Sequence, residues 1–294
     1  MPDARAVMDL VRLPAVLSVP GDSLLGAACA AVPRHPARTM GLAASSCLLY
    51  LGGMALNDYA DRDVDAVERP HRPVPSGRVS PEFALRLGQG LLAAGVVTAG
   101  VWGGRRGLAV AVPLATTIWA YDLELKDTPG GPVAMAACRS LDVLLGAAGA
   151  GASAAFPAAV IGAHTLTVTL VSRHEARGAT GAVGQRAARA TAAVTAAAGA
   201  FVAGRLRGTP KARALAPAAA ALLVGYASSF GGAAIEAARD PSAARLQGVV
   251  GAGVLGLMPL EAAMLAGAGR PVPAAGLAAL WPLARRLARR RSVT

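Results

Sequence analysis

Residues 38–68 read RTMGLAASSCLLYLGGMALNDYADRDVDAVE, an apolar run that passes directly into a dense row of acidic side chains. An α-helix rises about 1.5 Å per residue, so roughly 20 apolar residues cross the hydrocarbon core of a membrane. Residues 38–57 have that length, and the acids begin where the run ends. The stretch therefore predicts a membrane-spanning helix with a cluster of acidic groups at one face of the bilayer.

Similar apolar runs recur along the 294 residues, of which 54% are hydrophobic and only 16% are charged. Together they predict an all-α fold, a multi-pass transmembrane bundle of about nine helices around a central cavity. No linker divides the chain, so we expect a single domain over 1–294, in which 272–294 form an interfacial helix and a basic tail. The predicted spans are 13–33, 38–57, 81–102, 107–124, 132–153, 156–172, 187–204, 213–232 and 246–267.

Basic residues outnumber acidic ones, 29 to 17, which gives a net charge of +12. A nucleic-acid-binding protein would carry such an excess on an ordinary polar surface, so the low charged fraction argues against a nucleic-acid partner. Lys and Arg, Arg12 among them, are more frequent in the loops on the N-terminal side than in the opposite loops, which indicates that this side is cytoplasmic. We therefore expect an integral protein of a bacterial plasma membrane, with the acidic row on the cytoplasmic side.

The acidic row has helical spacing, because Asn57, Asp61 and Asp65 follow one another at intervals of four residues. Such residues share one helical face, where carboxylates repel each other unless a cation lies between them. Mg²⁺ prefers a few carboxylate oxygens together with phosphate oxygens of a substrate. Asn57, Asp58, Asp61 and Asp65 are accordingly candidate Mg²⁺ ligands, and the alternative is a solvated acidic loop.

Arginines follow the acids directly, at Arg69 and Arg72 among prolines. The planar fork of a guanidinium matches phosphate oxygens, so arginines beside a metal site are suited to a diphosphate. The same residues also serve as topology signals, and the two roles are compatible.

The run Asn57-Asp58-x-x-Asp61-x-x-x-Asp65, with Glu68-Arg69-Pro70-His71-Arg72-Pro73 after it, resembles the first aspartate-rich motif of the UbiA family of intramembrane prenyltransferases. The stretch from Tyr121 to Lys126 is similar to the family's Tyr-x-x-x-x-Lys segment, whose lysine contacts the diphosphate. Arg139 and Asp142 stand where members often have Arg and Asn. The resemblance implies Mg²⁺-dependent transfer of a prenyl group from an isoprenyl diphosphate to a lipophilic acceptor, for which an aromatic compound is one candidate.

The sequence departs from the family after the sixth predicted span, where members usually carry a second DxxxD-type motif. Here the loop contains Arg173-His174-Glu175, and Glu175 is its one carboxylate. Two interpretations stay open. Either Glu175 alone binds a second ion, or Arg173, Arg177 and His174 replace part of the metal's charge against the diphosphate.

The resemblance defines most of the candidate site. Asp22 in the first span is added because burying a charge in a membrane is costly. The catalytic candidates are Asp61, Asp65, Lys126 and Glu175. The metal-ligand candidates are Asn57, Asp58, Asp61, Asp65 and Glu175. The substrate-binding candidates are Asn57, Arg69, Arg72, Tyr121, Lys126, Arg139, Asp142, Asp22 and Arg173.

Two other functions fit parts of the sequence. A terpene cyclase of the same family would ionise a prenyl diphosphate without using an acceptor. A transporter or lipid-binding scaffold would use its carboxylates for a coupling ion, but would place them near the middle of the membrane and show paired repeats.

Overall fold

A computed structural model describes residues 2–12, 16, 19–30, 35–148, 151–176, 178–206 and 210–290. Across these ranges the regular structure is helical and contains no strand, so the all-α prediction is confirmed. The chain forms two compact units, Met1–Gly151 and Ala152–Thr294, joined through a short 3₁₀ turn over Gly151–Ala154. The single domain over 1–294 stays a prediction.

Unit 1 is built around α3, whose close neighbour is α5. Gly52 and Gly88 face each other, and a Cβ on Gly52 would lie 3.1 Å from the carbonyl oxygen of Gly88. Small residues thus allow the two backbones to approach, as is usual for helices within a membrane. The helices of this unit are α1 (Ala4–Leu10), α2 (Pro20–Cys29), α3 (Pro36–Ala60), α4 (Arg62–Glu68), α5 (Pro81–Ala120) and α6 (Gly131–Gly146), with a π-helical turn over Tyr121–Leu125 between the last two.

Helix α5 reverses its direction at Gly104, which has non-helical torsion angles (φ 62°, ψ −151°) that an L residue rarely adopts. In a straight helix Ala99 and Gly107 would be roughly 12 Å apart. A Cβ on Gly107 would instead lie 3.2 Å from the carbonyl carbon of Ala99. The predicted spans 81–102 and 107–124 are therefore the two arms of a helical hairpin.

Unit 2 is organised around α11, which is buried continuously from Met258 to Gly267. His164 of α7 links its neighbours, because its ring nitrogens lie 2.9 Å from the hydroxyl of Tyr226 and 3.1 Å from the carbonyl oxygen of Gly253. The helices are α7 (Ala155–Ser172), α8 (Gly181–Leu206), α9 (Pro210–Tyr226), α10 (Gly232–Arg239), α11 (Ala243–Gly267) and α12 (Pro271–Arg290), with a π-helical turn over Ala227–Gly231.

The outer faces of the helices are apolar, as shown by Val101 and Val224, whose exposed fractions are 73% and 67%. A soluble protein rarely presents such continuous apolar surface, whereas lipid covers it without cost. The chain is thus an integral membrane protein. Six helical segments of the described ranges are long and apolar enough to cross a membrane: Pro36–Ala60, Pro81–Leu125, Ala155–Ser172, Gly181–Arg205, Arg213–Arg239 and Ala243–Gly267.

The predicted count of nine spans differs from these six segments for identifiable reasons. The hairpin of α5 supplies two predicted spans within a single segment. The first predicted span, 13–33, is represented by the ten residues of α2, and most of its remainder lies outside the described residues. The fifth, 132–153, corresponds to the 16-residue α6, and α12 covers the segment expected at the interface.

Candidate active site

The acidic row lies where α3 passes into α4. The amide of Asp61 donates to the carbonyl of Asn57 (2.9 Å), and the amide of Asp65 donates to the carbonyl of Asp61 (2.7 Å). The helical ladder therefore continues across the junction and preserves the spacing seen in the sequence. The side chains follow it, since Asn57 Nδ2 donates to Asp61 Oδ2 over 2.8 Å.

Asp58 and Asp65 lie on a neighbouring face of the same helical surface. Arg72 connects them, with Nη1 2.6 Å from Asp65 Oδ2 and 3.5 Å from Asp58 Oδ1, while Arg69 Nη1 lies 3.4 Å from Asp65 Oδ1. Both carboxylates are buried, with exposed fractions of 2% and 1%. The acidic row is thus divided into two adjacent pairs, Asn57 with Asp61 and Asp58 with Asp65.

Lys126 reaches the acidic row from the far end of α5. Its ammonium donates to Asp61 Oδ1, which joins residues 65 positions apart in the chain. The intervening turn is π-helical, because the amide of Lys126 donates to the carbonyl of Tyr121 (2.9 Å), five residues earlier. Such turns are rare and occur often at functional sites. The structure therefore brings together two segments that the sequence singled out separately.

Arg12 completes the cluster, although the sequence analysis treated it only as a topology signal. Its Nη2 donates to Asp58 Oδ1 (2.9 Å) and to Asn57 Oδ1 (3.2 Å). Arg12 has a positive φ of 48°, which is uncommon for a residue with a side chain. This turn directs the arginine back onto α3, and a contact between residues so distant in sequence leaves no local signal.

An apolar cavity, partly open to its surroundings, begins one helical turn before the acidic row. Met54 and Gly53 line its near end on α3, and Ser46 lines its far end, roughly 12 Å away along the helix. Its full lining, all in unit 1, is Val19, Ser46, Leu49, Tyr50, Gly53, Met54, Leu114, Ile118, Tyr121, Asp122, Met135, Cys138, Arg139 and Asp142. An apolar cavity next to a charged cluster is suited to a ligand with a charged head and an apolar tail.

The far end of this cavity has a polar floor formed by Asp22, Ser46, Arg139 and Asp142. Arg139 Nη2 lies 2.8 Å from Asp22 Oδ2, and the hydroxyl of Ser46 donates to Asp142 Oδ2 over 2.6 Å. Three predicted substrate-binding residues thus come together here. Asp22 contacts Arg139, which itself lines the cavity.

The remaining predicted residues, Arg173 and Glu175, belong to unit 2 and follow α7. Arg173 and His174 are exposed, and Glu175 is half-buried. His174 also lines, with Arg186, a second cavity between α7 and α8. In the described part of this loop Glu175 is the one carboxylate, as the sequence indicated.

The donor set of the acidic row fits Mg²⁺. Carboxylate and amide oxygens are hard ligands, and Mg²⁺ is usually held by one or two carboxylates together with substrate phosphates and water. Within the described ranges no three His, Cys, Asp or Glu residues are grouped as a complete metal site. Asn57, Asp58, Asp61 and Asp65 would therefore supply part of a coordination shell that a diphosphate completes.

Comparison with known proteins agrees with this helical fold. The family model of the UbiA prenyltransferase family matches residues 23–178, more than half of the chain. The chain therefore belongs to the UbiA prenyltransferase family, and the resemblance inferred from the two motifs is confirmed.

Relatives of known name match shorter segments. Digeranylgeranylglyceryl phosphate synthase of Methanopyrus kandleri is 49% identical over 78 residues, which cover 26% of this chain and 28% of that protein. The synthase of the same name from Halobacterium salinarum is 35% identical over 148 residues, 47% of this chain and 50% of that protein. The matched segments thus span half or less of these two relatives.

A solved structure shares the fold over a greater length. The UbiA homologue from Archaeoglobus fulgidus, bound to GPP and Mg²⁺, superposes with a TM-score of 0.61 at 14% identity, and the match covers 88% of this chain and 99% of that one. The similarity establishes the fold.

Proposed function

We propose that the protein is a Mg²⁺-dependent intramembrane prenyltransferase that ionises an isoprenyl diphosphate and transfers the prenyl group to a lipophilic acceptor. One observation carries the proposal: the cluster that joins Asp61 to Lys126 and Asp65 to Arg72 lies one helical turn along α3 from the lining of an apolar cavity. The cluster offers a site for a diphosphate, and the cavity offers space for an isoprenoid chain.

The charge of the cluster supports an anionic ligand. The cations Arg12, Arg69, Arg72 and Lys126 surround the carboxylates Asp58, Asp61 and Asp65 and exceed them by one. Mg²⁺ held by Asn57 and these carboxylates would neutralise further charge on the diphosphate. A dianionic or trianionic head group therefore balances the site when it binds.

The chain's own residues then account for each requirement of the reaction. Arg69, Arg72 and Lys126 stabilise the negative charge that develops on the leaving diphosphate as the allylic C–O bond breaks. Tyr121 and the apolar walls of the cavity exclude water, which would otherwise capture the carbocation before the acceptor does. Arg139, Asp142 and Asp22 bind polar groups of a substrate at the far end of the cavity.

In unit 2, the loop after α7 contains the residues that the proposal assigns to a second ion. In one version Glu175 would hold a second ion and Arg173 would bind the diphosphate. In the other, Arg173 and His174, together with Arg177, which lies outside the described residues, would supply positive charge in place of that ion. The acidic row faces the cytoplasm of a bacterial cell. The names of the relatives suggest a glyceryl phosphate as one acceptor class, and an aromatic compound is another.

The test uses protein purified in detergent, Mg²⁺ and isoprenyl diphosphates of increasing chain length, and measures diphosphate release with and without candidate acceptors. We expect Mg²⁺-dependent release and a prenylated acceptor. Asp63→Ala provides a matched control, because Asp63 lies on α4 among the acidic residues but is exposed. Absence of release at every chain length from well-folded protein would overturn the proposal, and acceptor-free release with a cyclic hydrocarbon product would show a cyclase instead.

A further inference from the structure

Helix α12 ends in a group of arginines that the proposed function does not use. Arg285 and Arg286 are followed, four residues later in each case, by Arg289 and Arg290. This interval places the four positions on one side of the last two helical turns, and they are called the arginine cluster below. After Glu261 the sequence contains no Asp or Glu. The helix that carries the arginine cluster therefore supplies no acidic partner for it.

The direction of α12 decides where the arginine cluster lies. Helices α11 and α12 pack together on either side of a turn at Gly269, whose φ is 69°. Trp281 of α12 lies against α9, because a Cβ on Gly225 would be 2.9 Å from its ring. The next residue of α9, Tyr226, lies against α11, because a Cβ on Gly256 would be 3.4 Å from its ring. Trp281 is thus level with Gly256, and α12 runs antiparallel to α11.

This direction places the arginine cluster beside the apolar part of α11. Arg285 is one helical turn beyond Trp281, so it is roughly 14 Å along α11 from Ala243, the first residue of that helix. Arg285 and Arg286 are both exposed on the outside of the unit. An arginine beside a membrane-spanning helix is costly without a counter-ion, and its long side chain lowers the cost by extending toward the membrane surface. The phosphate groups of one leaflet are the anions at that surface.

The protein itself leaves the charge of these arginines available. Among the described residues, neither Arg285 nor Arg286 forms an ion pair, and the carboxylates that follow α10 are paired with Arg245 instead. The guanidinium of Arg285 lies over the ring of Trp281, 5.3 Å from its centroid. Such stacking uses one face of the guanidinium and leaves its N–H groups free to donate to phosphate oxygens in the plane.

We propose that the arginine cluster binds the phosphate group of an anionic glycerophospholipid, whose acyl chains lie against the apolar outer face of α12. Val272 and Leu283 belong to that face, with exposed fractions of 82% and 49%, and their separation of 11 residues places them on one side of the helix. A phospholipid supplies both the anion and the hydrocarbon that this surface requires. A nucleic acid or an acidic peptide would match the arginines and leave the apolar face uncovered.

The test measures lipid binding by the full-length protein in detergent. Phosphatidylglycerol or phosphatidylcholine with the same acyl chains is added, and native mass spectrometry gives the number of lipids retained per chain and the apparent Kd. We expect the wild type to bind phosphatidylglycerol more tightly than phosphatidylcholine. In the double variant Arg285→Gln/Arg286→Gln the Kd for phosphatidylglycerol should rise about 30-fold, since each arginine near a lipid surface contributes about a factor of five. The Kd for phosphatidylcholine should not change.

The matched control is Arg105→Gln/Arg106→Gln, which removes another pair of adjacent, exposed arginines at the turn of α5 and should leave the Kd for phosphatidylglycerol unchanged. Arg285→Lys/Arg286→Lys keeps the charge and should keep most of the affinity, which separates loss of charge from misfolding. Equal affinity of the wild type for the two lipids, a wild-type Kd in the glutamine variant, or an equal loss in the control pair would overturn the proposal. A complex of two chains that only the glutamine variant lacks would overturn it as well, in favour of a second copy as the partner.

Discussion

The two ends of the unit 1 cavity are built from the same residue types in opposite proportion. At the acidic row, Arg12, Arg69, Arg72 and Lys126 outnumber three carboxylates, and several of these cations are partly exposed. At the polar floor, Arg139 is the one cation beside the carboxylates Asp22 and Asp142 among the described residues, and all three side chains are largely buried. The first end has spare positive charge for an added anion, whereas the second, among the described residues, has one more carboxylate than cations and keeps these charges away from solvent.

This difference predicts different consequences for substitution. At the acidic row, water, Mg²⁺ or a diphosphate can replace a lost partner, so substitution should affect chemistry more than folding. At the floor, removal of a partner leaves a charge in apolar surroundings, which the folded state cannot easily tolerate. The following predictions are arranged from the largest expected effect to the smallest.

Arg139→Leu should lower the free energy of unfolding by about 3–5 kcal/mol, because it removes the guanidinium that lies 2.8 Å from the buried Asp22 carboxylate. Chemical unfolding in detergent, followed by intrinsic fluorescence, measures the change. Arg245→Leu is the control, since its pairs with Glu236 and Asp240 are exposed and should contribute less than about 1 kcal/mol. Equal stability of the two variants would show that the floor is not a structural charge cluster.

Asp61→Ala and Asp65→Ala should each reduce Mg²⁺-dependent diphosphate release on the order of 10²- to 10³-fold, as the loss of a group that stabilises charge in the transition state does. Release rates at saturating Mg²⁺ test this, with the exposed Asp63→Ala as the reference variant. If either variant releases diphosphate at the wild-type rate, that residue has no part in the site.

Arg12→Ala should lower kcat/KM for the diphosphate about tenfold, the equivalent of one charge-assisted hydrogen bond. Steady-state kinetics measure the change, and Arg5→Ala on the exposed surface of α1 should have no effect. A wild-type kcat/KM would indicate that Arg12 only holds Asp58 in place.

Glu175→Ala should reduce turnover by the smallest factor, because a single carboxylate in a half-buried loop supplies at most part of a second ion site. The measurement is release as a function of Mg²⁺ concentration, and the exposed Glu236→Ala serves as the control in the same unit. Full activity with an unaltered Mg²⁺ dependence would show that the assignment of a second ion to Glu175 is wrong.

Local patterns were enough to predict much of the fold and of the acidic row. Apolar length identified α3 and both arms of α5, and the intervals between Asn57, Asp61 and Asp65 follow from helical geometry, which the structure preserves. Family motifs supplied Lys126 and Arg139. These features depend on residues a few positions apart, for which the spacing in the sequence determines the spacing in the structure.

Contacts between distant segments could not be read in the same way. Arg12 contacts Asn57, 45 residues away in the sequence, because its backbone turns with a positive φ. No local pattern in the sequence predicts that turn. The sequence does not distinguish Asp122 from the other acidic residues near it, whereas the structure places it in the lining of the cavity. Arg139 pairs with Asp22 of α2, a residue far from it in the sequence.

The π-helical turn over Tyr121–Leu125 makes the site sensitive to chain length as well as to residue type. Inserting one residue there without a change in the hydrogen-bonding pattern would rotate everything after it by about 100° and advance it by about 1.5 Å. Lys126 would then swing away from Asp61 even though every charged group remained in the chain. The number of residues between Tyr121 and Lys126 therefore determines the direction in which the lysine points. An insertion or deletion here should be less tolerated than most substitutions.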